Sequence, residues 1–173
     1  MFMVKKAVLI IAHEGFRDEE FLEPKKVLED GGVMVTVASS FLGTATGMLG
    51  AKAEPDILLE DVKAEDYDAV VFIGGSGASE YWNNTTAHSI AREALEKGKL
   101  LGAICIAPVT FGNAGLLKGR KATVFQSEVD KIKARGAIYT GVAVERDGNI
   151  ITGQGPAFAR EFGKALLSAM EQS

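Results

Sequence analysis

Short apolar runs alternate along the chain with longer stretches in which apolar side chains recur every three or four positions. The first pattern reads as buried strands and the second as helices with one covered face. Val4 to Ala12, Val33 to Ala38, Ala69 to Ile73 and Leu100 to Ile104 are the strand candidates. Asp18 to Asp30 sets Phe21, Pro24 and Leu28 on one side of a helix, and Thr85 to Lys97 does the same with Ile90, Ala94 and Leu95. Phe158 to Met170 repeats Phe158, Phe162, Leu166 and Met170 at steps of four. Shorter helices are expected from Pro108 to about Ala114 and from Glu128 to Arg135. Pro24 lacks the donor for an interior hydrogen bond, so the first helix should bend there; Gly31-Gly32 should stop it and Gly98 should cap the second. Ala122 to Phe125 reads as a short strand, and Leu58-Leu59 as an edge element. Val142 to Glu145 and Ile150-Ile151 form a hairpin around Arg146 to Asn149. Ser39 to Glu54, rich in Gly, Ala and Thr, reads as a loop or an irregular pair of short strands.

This alternation implies an α/β fold whose mostly parallel sheet is covered by helices on both sides, since each apolar strand must bury two faces. No Pro- or Ser-rich linker interrupts it, so residues 1–173 are expected to form one domain, long enough to fold without disulfide or metal support. Apolar residues make up 47% and charged residues 24%, the balance of an ordinary globular protein. Nineteen Lys and Arg against 23 Asp and Glu give a net charge of -4, spread along the chain, which argues against nucleic acid and against an anionic membrane surface as partners. The apolar run near the start is cut off at His13-Glu14, well short of the roughly 18 residues of a membrane span, and no small-residue cleavage site follows. A cytoplasmic location is expected. One Cys excludes an intrachain disulfide, a CxxC pair and a cysteine-cluster metal site, and two His, at 13 and 88, leave little for a metal centre.

Ligands of open α/β sheets gather beyond the carboxyl ends of the strands, near a change in strand order. Three segments point there: His13 to Glu20, the glycine turn Gly74 to Gly77, and Cys105. Cys105 falls on a strand-to-helix elbow, where the positive end of a helix favours a thiolate, yet a lone Cys is also often a small buried hydrophobe. On the residues alone both readings stand. The glycine turn calls for positive φ and leaves amides free to face an oxyanion, but it lacks GxGxxG spacing and a P-loop lysine, so no cofactor is expected. By residue type Glu20 belongs with Asp18 and Glu19 to a solvated helix start, and His13 to a loop.

Taken together, HEGFRDEEFLEP at 13–24, VVFIGGSGASEYW at 70–82, LLGAICIAPVTFGNAGLLKGRKAT at 100–123 and DGNIITGQGP at 147–156 resemble the DJ-1/PfpI superfamily over nearly the whole chain. The resemblance implies a flavodoxin-like three-layer sandwich with a nucleophile-elbow cysteine. It makes Cys105 the nucleophile and Glu20 the acid whose carboxyl approaches the sulfur, with Gly74, Gly75 and Ile106 lining the oxyanion side; His13, by its own place after the first strand, is an auxiliary candidate. A carboxyl held in a partly dry pocket should stay protonated and favour the neighbouring thiolate. Two family histidines are missing: Ile106 stands where one commonly follows the Cys, and Thr123 to Gln126 supplies no other. Their loss undercuts peptide hydrolysis more than chemistry on an electrophilic aldehyde. The implied function is therefore cofactor-independent glyoxalase or deglycase chemistry on a small reactive carbonyl, with a PfpI-like peptidase and a redox-sensing or stress-response protein as alternatives. The resemblance also implies a homo-oligomer, a dimer or a hexamer, with Phe16, Phe21, Tyr81 and Trp82 able to serve an interface, the core or a pocket roof.

Overall fold

The computed structural model describes residues 3–172. In chain order the elements are β1 (Lys6–Ile10), β2 (Glu14–Phe16), α1 (Asp18–Asp30), β3 (Met34–Ser39), β4 (Ala45–Gly47), β5 (Lys52–Ala53), β6 (Ile57–Leu58), β7 (Ala69–Phe72), α2 (Thr85–Glu96), β8 (Leu100–Ile104), α3 (Pro108–Asn113), β9 (Lys121–Ala122), α4 (Val129–Ala134), β10 (Ile138–Tyr139), β11 (Val144–Asp147), β12 (Ile150–Gly153) and α5 (Ala159–Glu171). Side chains of the central strands alternate between two cores, as a period of two requires. Val8, Ile10, Val70, Phe72, Leu101 and Ala103 face α2, α3 and α4, whereas Ala7, Leu9, Ala69, Val71, Leu100 and Ile104 face α1 and α5. The three layers expected of the sequence are therefore present.

The main sheet runs β11-β12-β8-β7-β1-β3-β6, with every neighbouring pair parallel except β11 and β12. From β1 the chain moves outward through β3 and β6, then returns to β7 on the other side of β1. The order thus reverses beside β1, and the carboxyl ends of β1, β7 and β8 border that switch point.

Helix α1 spans the expected residues and carries Pro24 in its interior, packed against α5 at Gly163. The hairpin turn is tighter than expected: pairing continues through Asp147 and Ile150, leaving only Gly148-Asn149 between the strands. The strand expected over Ala122 to Phe125 stops at Ala122, because the next amides bond elsewhere: Thr123 N–H donates to Thr152 Oγ1 (2.9 Å) and Phe125 N–H to Cys105 O (2.8 Å). Ser39 to Glu54 holds β4 and β5, which join the unexpected β2 in a small separate sheet. Asp18 ties this sheet to α1, its carboxylate accepting from Leu49 N–H (3.0 Å) and Ala51 N–H (2.8 Å). Of the aromatics considered for an interface, Phe16, Phe21 and Tyr81 are buried in this chain's own core, and the Tyr81 hydroxyl donates to Ile11 O (2.8 Å). Only Trp82 is partly exposed. Among the described residues no helix is long and apolar enough to cross a membrane.

Candidate functional site

Cys105 follows β8 directly, and its backbone turns with φ +65°, the only positive value at a non-glycine residue among those described. Such a conformation costs about 1–3 kcal/mol and persists only where surrounding bonds over-determine it. Here Cys105 N–H donates to Gly153 O (2.9 Å) and Cys105 O accepts from Phe125 N–H (2.8 Å), so both of its backbone polar groups are held by other segments. Pro108 then opens α3 at a position where no backbone donor is needed. The elbow is thus a strained corner clamped from β12 and from the segment after β9.

Three loops converge on the thiol. Glu20 comes from the first turn of α1 and is fully buried, contrary to the solvated helix start that residue type suggests; Asp18 is buried as well, and only Glu19 turns outward to pair with Arg17 (2.9 Å). The glycine turn supplies the wall between the thiol and the carboxyl. A Cβ on Gly74 would overlap both Glu20 Oε1 and the Cβ of Cys105, so only glycine leaves room for the carboxyl to approach the sulfur. Gly75, at φ +109°, abuts Arg17 N and Gly15 O, and its N–H, together with that of Ile106, faces the sulfur and favours a thiolate. Gly74, Gly75 and Ile106 therefore stand around the thiol as the resemblance implied.

Neither Glu20 oxygen completes a hydrogen bond to a nitrogen or oxygen of the described residues. Burial pushes this carboxyl up to about 8, against the opposing pull of the Cys105 thiol and the Arg17 guanidinium. It is protonated at neutral pH, as expected. Burial also raises the Cys105 thiol, and the nearby Glu20 carboxyl adds to the rise, outweighing the Gly75 and Ile106 amides. The depressed thiol expected from the helix end is thus not what the structure gives: the six-residue α3 and two amides do not offset desolvation. The two groups titrate as a pair, which gives up its first proton near pH 8.

His13 takes another role. Its ring packs edge-on against Phe41 at 5.6 Å, and its Nε2 lies 3.2 Å from Gly43 O, so it braces the 40–44 loop. His88, distant in the sequence, is linked to the elbow through Trp82: His88 Nε2 donates to Trp82 O (2.8 Å), and Trp82 Nε1 donates to Ile106 O (3.0 Å). Asn113, at the end of α3, donates to the same Trp82 carbonyl (3.0 Å). Sequence reasoning missed this brace, because nothing in the spacing of 82, 88, 106 and 113 marks a shared contact. Phe125 and Gln126, in the segment that lacks the family histidine, line a small cleft of about 160 Å³ with Gln154, Gly155 and Phe158.

A strained cysteine elbow at the switch point of a mostly parallel sheet, faced by a buried acid, defines a class: flavodoxin-like α/β proteins with one thiol at the strand ends. Within that class the assignment is direct, because the DJ-1/PfpI family model matches residues 5–169, and the chain belongs to the DJ-1/PfpI family. It is 43% identical over 171 residues to the uncharacterized protein MJ0967 of Methanocaldococcus jannaschii, covering 97% of this chain and 83% of that protein. It is 34% identical to the deglycase TK1284 of Thermococcus kodakarensis, covering 92% and 98% of the two chains. Among solved structures, a ThiJ/PfpI domain protein from Brachyspira murdochii superimposes with a TM-score of 0.96 at 29% identity and 99% coverage of both chains. Drosophila melanogaster DJ-1beta does so with 0.88 at 30% identity, covering 99% of this chain and 92% of that one.

Proposed function

We propose that this protein acts on small reactive carbonyl compounds by glyoxalase or deglycase chemistry, with Cys105 as nucleophile and Glu20 as the proton carrier. The observation that carries the reading is the pairing itself: a fully buried carboxyl with no other completed hydrogen bond, set beside a thiol whose backbone is held in a strained corner. The relatives named deglycase, at 32–34% identity, support it.

Methylglyoxal presents its aldehyde carbon to the sulfur in this reading. In the singly ionised pair the Glu20 carboxylate takes the thiol proton as sulfur bonds to the aldehyde carbon, and the alkoxide that forms faces the N–H groups of Gly75 and Ile106. Glu20 returns the proton to that oxygen, giving a hemithioacetal. The freed carboxylate then carries the C1 proton to C2 through an enediol, while the hydroxyl proton on the C1 oxygen passes to the C2 oxygen, which leaves a lactoyl thioester. Water cleaves the thioester to lactate and restores the thiol. Because the reactive form is the singly ionised pair, kcat/KM should rise with pH, about tenfold per unit below 8, and level off above it. Lactate formation from methylglyoxal measures this; full activity in Cys105→Ala, or an unchanged profile in Glu20→Gln, overturns the reading.

A redox-sensing role is the second reading, favoured by the protonated Glu20 carboxyl, which can donate to a sulfinate oxygen on Cys105. Peroxide treatment followed by intact mass tests it, selective addition of two oxygens at Cys105 being the expected result. Peptidase action is less supported, since no histidine adjoins Cys105 in sequence and His13 is engaged with the 40–44 loop. The working species in this reading is a homo-oligomer, supported by the exposed apolar side chains of Phe41, Leu42, Met48 and Leu49 beside the glycine turn.

A further inference from the structure

Ile106, the residue after the thiol, has its two backbone polar groups held from opposite layers of the sandwich. Its N–H faces the Cys105 sulfur, which packs in the core shared with α1 and α5. Its carbonyl accepts from the indole Nε1–H of Trp82 (3.0 Å), and Trp82 packs against the core that faces α2, α3 and α4. Among the described residues the other donor to that carbonyl is Val109 N–H at 3.3 Å, longer than an ordinary N–H···O bond. The indole therefore makes the shorter of the two bonds that fix the peptide after the elbow.

Trp82 is itself tied down along its length. Its backbone carbonyl accepts from His88 Nε2 (2.8 Å) in α2 and from Asn113 Nδ2 (3.0 Å) at the end of α3. Asn113 is oriented in turn by Arg135, whose Nε donates to its Oδ1 (3.1 Å). The Lys131 ammonium in α4, which also pairs with Glu128 (2.7 Å), stands 5.3 Å from the centre of the indole, a cation–π contact on the face of the ring. A partly exposed ring held at its backbone and at its face keeps one orientation, with its N–H on the Ile106 carbonyl. The one Trp of the chain is thus aimed at the residue beside its one Cys. The charged groups that face the sulfur, Glu20 and Arg17, come from α1 and the residue before it, not from the elements that hold the indole.

We infer that Trp82 is a positioning residue for the thiol: by holding the Ile106 carbonyl, its indole N–H keeps the Ile106 amide aimed at the sulfur. The inference rests on Cys105 as the reacting group of the reading above. An amide held in this way stabilises the thiolate and then the alkoxide that forms from the carbonyl. Two replacements remove the donor and keep a ring: Trp82→Phe, and the benzothienyl analogue of tryptophan, which carries sulfur in place of the indole N–H. Because the chain has one Trp, the analogue enters at this position alone. Alkylation of Cys105 by iodoacetamide is followed across a pH series. The pair gives up its first proton near pH 8, and the rate above that pH reads the share of the pair in which the thiol is ionised. That plateau should fall about three- to tenfold in both replacements, with the midpoint unmoved because it belongs to Glu20. A role in stability alone gives the opposite sign, since a loosened elbow exposes a buried thiol and speeds alkylation. With methylglyoxal, kcat should fall by the same factor at unchanged KM. Alkylation by the analogue protein as fast as the parent, or faster, overturns the inference whatever Trp82→Phe does. If the parent itself forms no lactate, the carbonyl reading falls, while the alkylation rates still decide the role of Trp82.

Discussion

Glu20 illustrates how a residue can be costly to the fold and useful to a site. Its carboxyl is pushed up to about 8, whereas in the unfolded chain it titrates near 4.5. Between those values the unfolded chain has released the proton and the folded protein still holds it, so stability falls as pH rises from about 4.5 to 8 and is flat above. Each pH unit across that window costs about 1.4 kcal/mol. Glu20→Gln keeps the shape and removes the titration, so it should be more stable than the parent at pH 8 by several kcal/mol, on the order of 1.4 for each unit crossed, and nearly equal to it at pH 4.5. Urea titrations at the two pH values check this; equal stability of the two proteins at pH 8 contradicts it. Cys105 offers a second test of the same kind. Its φ of +65° suits glycine, so Cys105→Gly should be more stable than Cys105→Ala by roughly 1 kcal/mol in thermal melts, although both lose the thiol.

At the scale of elements, the site depends on how α1 starts and on what its first turn holds. The Asp18 carboxylate accepts the amides of Leu49 and Ala51 and so fixes the small sheet against the glycine turn, where Met48 Sδ accepts from Ser76 N–H at 3.3 Å. Asp18→Ala leaves two amides without their acceptor and should cost about 2–3 kcal/mol, with faster hydrogen exchange at Leu49 and Ala51 than elsewhere. The long elements were legible because their periodicity is strong: α1 and β8 have the bounds read from the apolar pattern, and the Cys105 elbow follows from their order. What escaped depends on contacts between distant segments. β2 exists only because Thr46 N–H donates to His13 O and Met48 N–H to Phe16 O, and three residues of mixed polarity carry no periodic signal of their own. The burial of Glu20 was equally invisible, since Asp18, Glu19 and Glu20 look alike in sequence and only packing sends two inward and one out. The Trp82 brace on Ile106 belongs to the same class of feature.

For the whole molecule, the two ends of the sheet have opposite characters. The amino ends hold a polar cleft, and the carboxyl ends hold the buried thiol beside an apolar rim. Phe41 and Leu49 are each about two-thirds exposed, at 65% and 66%, with Leu42 and Met48 between them in sequence, so four large apolar side chains within nine residues face solvent next to the site. Exposed apolar side chains of this kind are what the interface of the proposed homo-oligomer would cover. In a closed two-fold pair the same patch meets its own copy, which would cover the loop that His13 braces and limit water at the thiol. Light scattering across a range of concentrations should then give at least twice the 18.3 kDa chain mass. The double variant Phe41→Ser, Leu49→Ser should dissociate without loss of helical signal, because neither side chain contributes to the buried core. A chain of monomer mass at every concentration rules out the oligomer. A dimer that survives the double substitution places its interface elsewhere, and the 41–49 segment is then an open rim that no second copy covers.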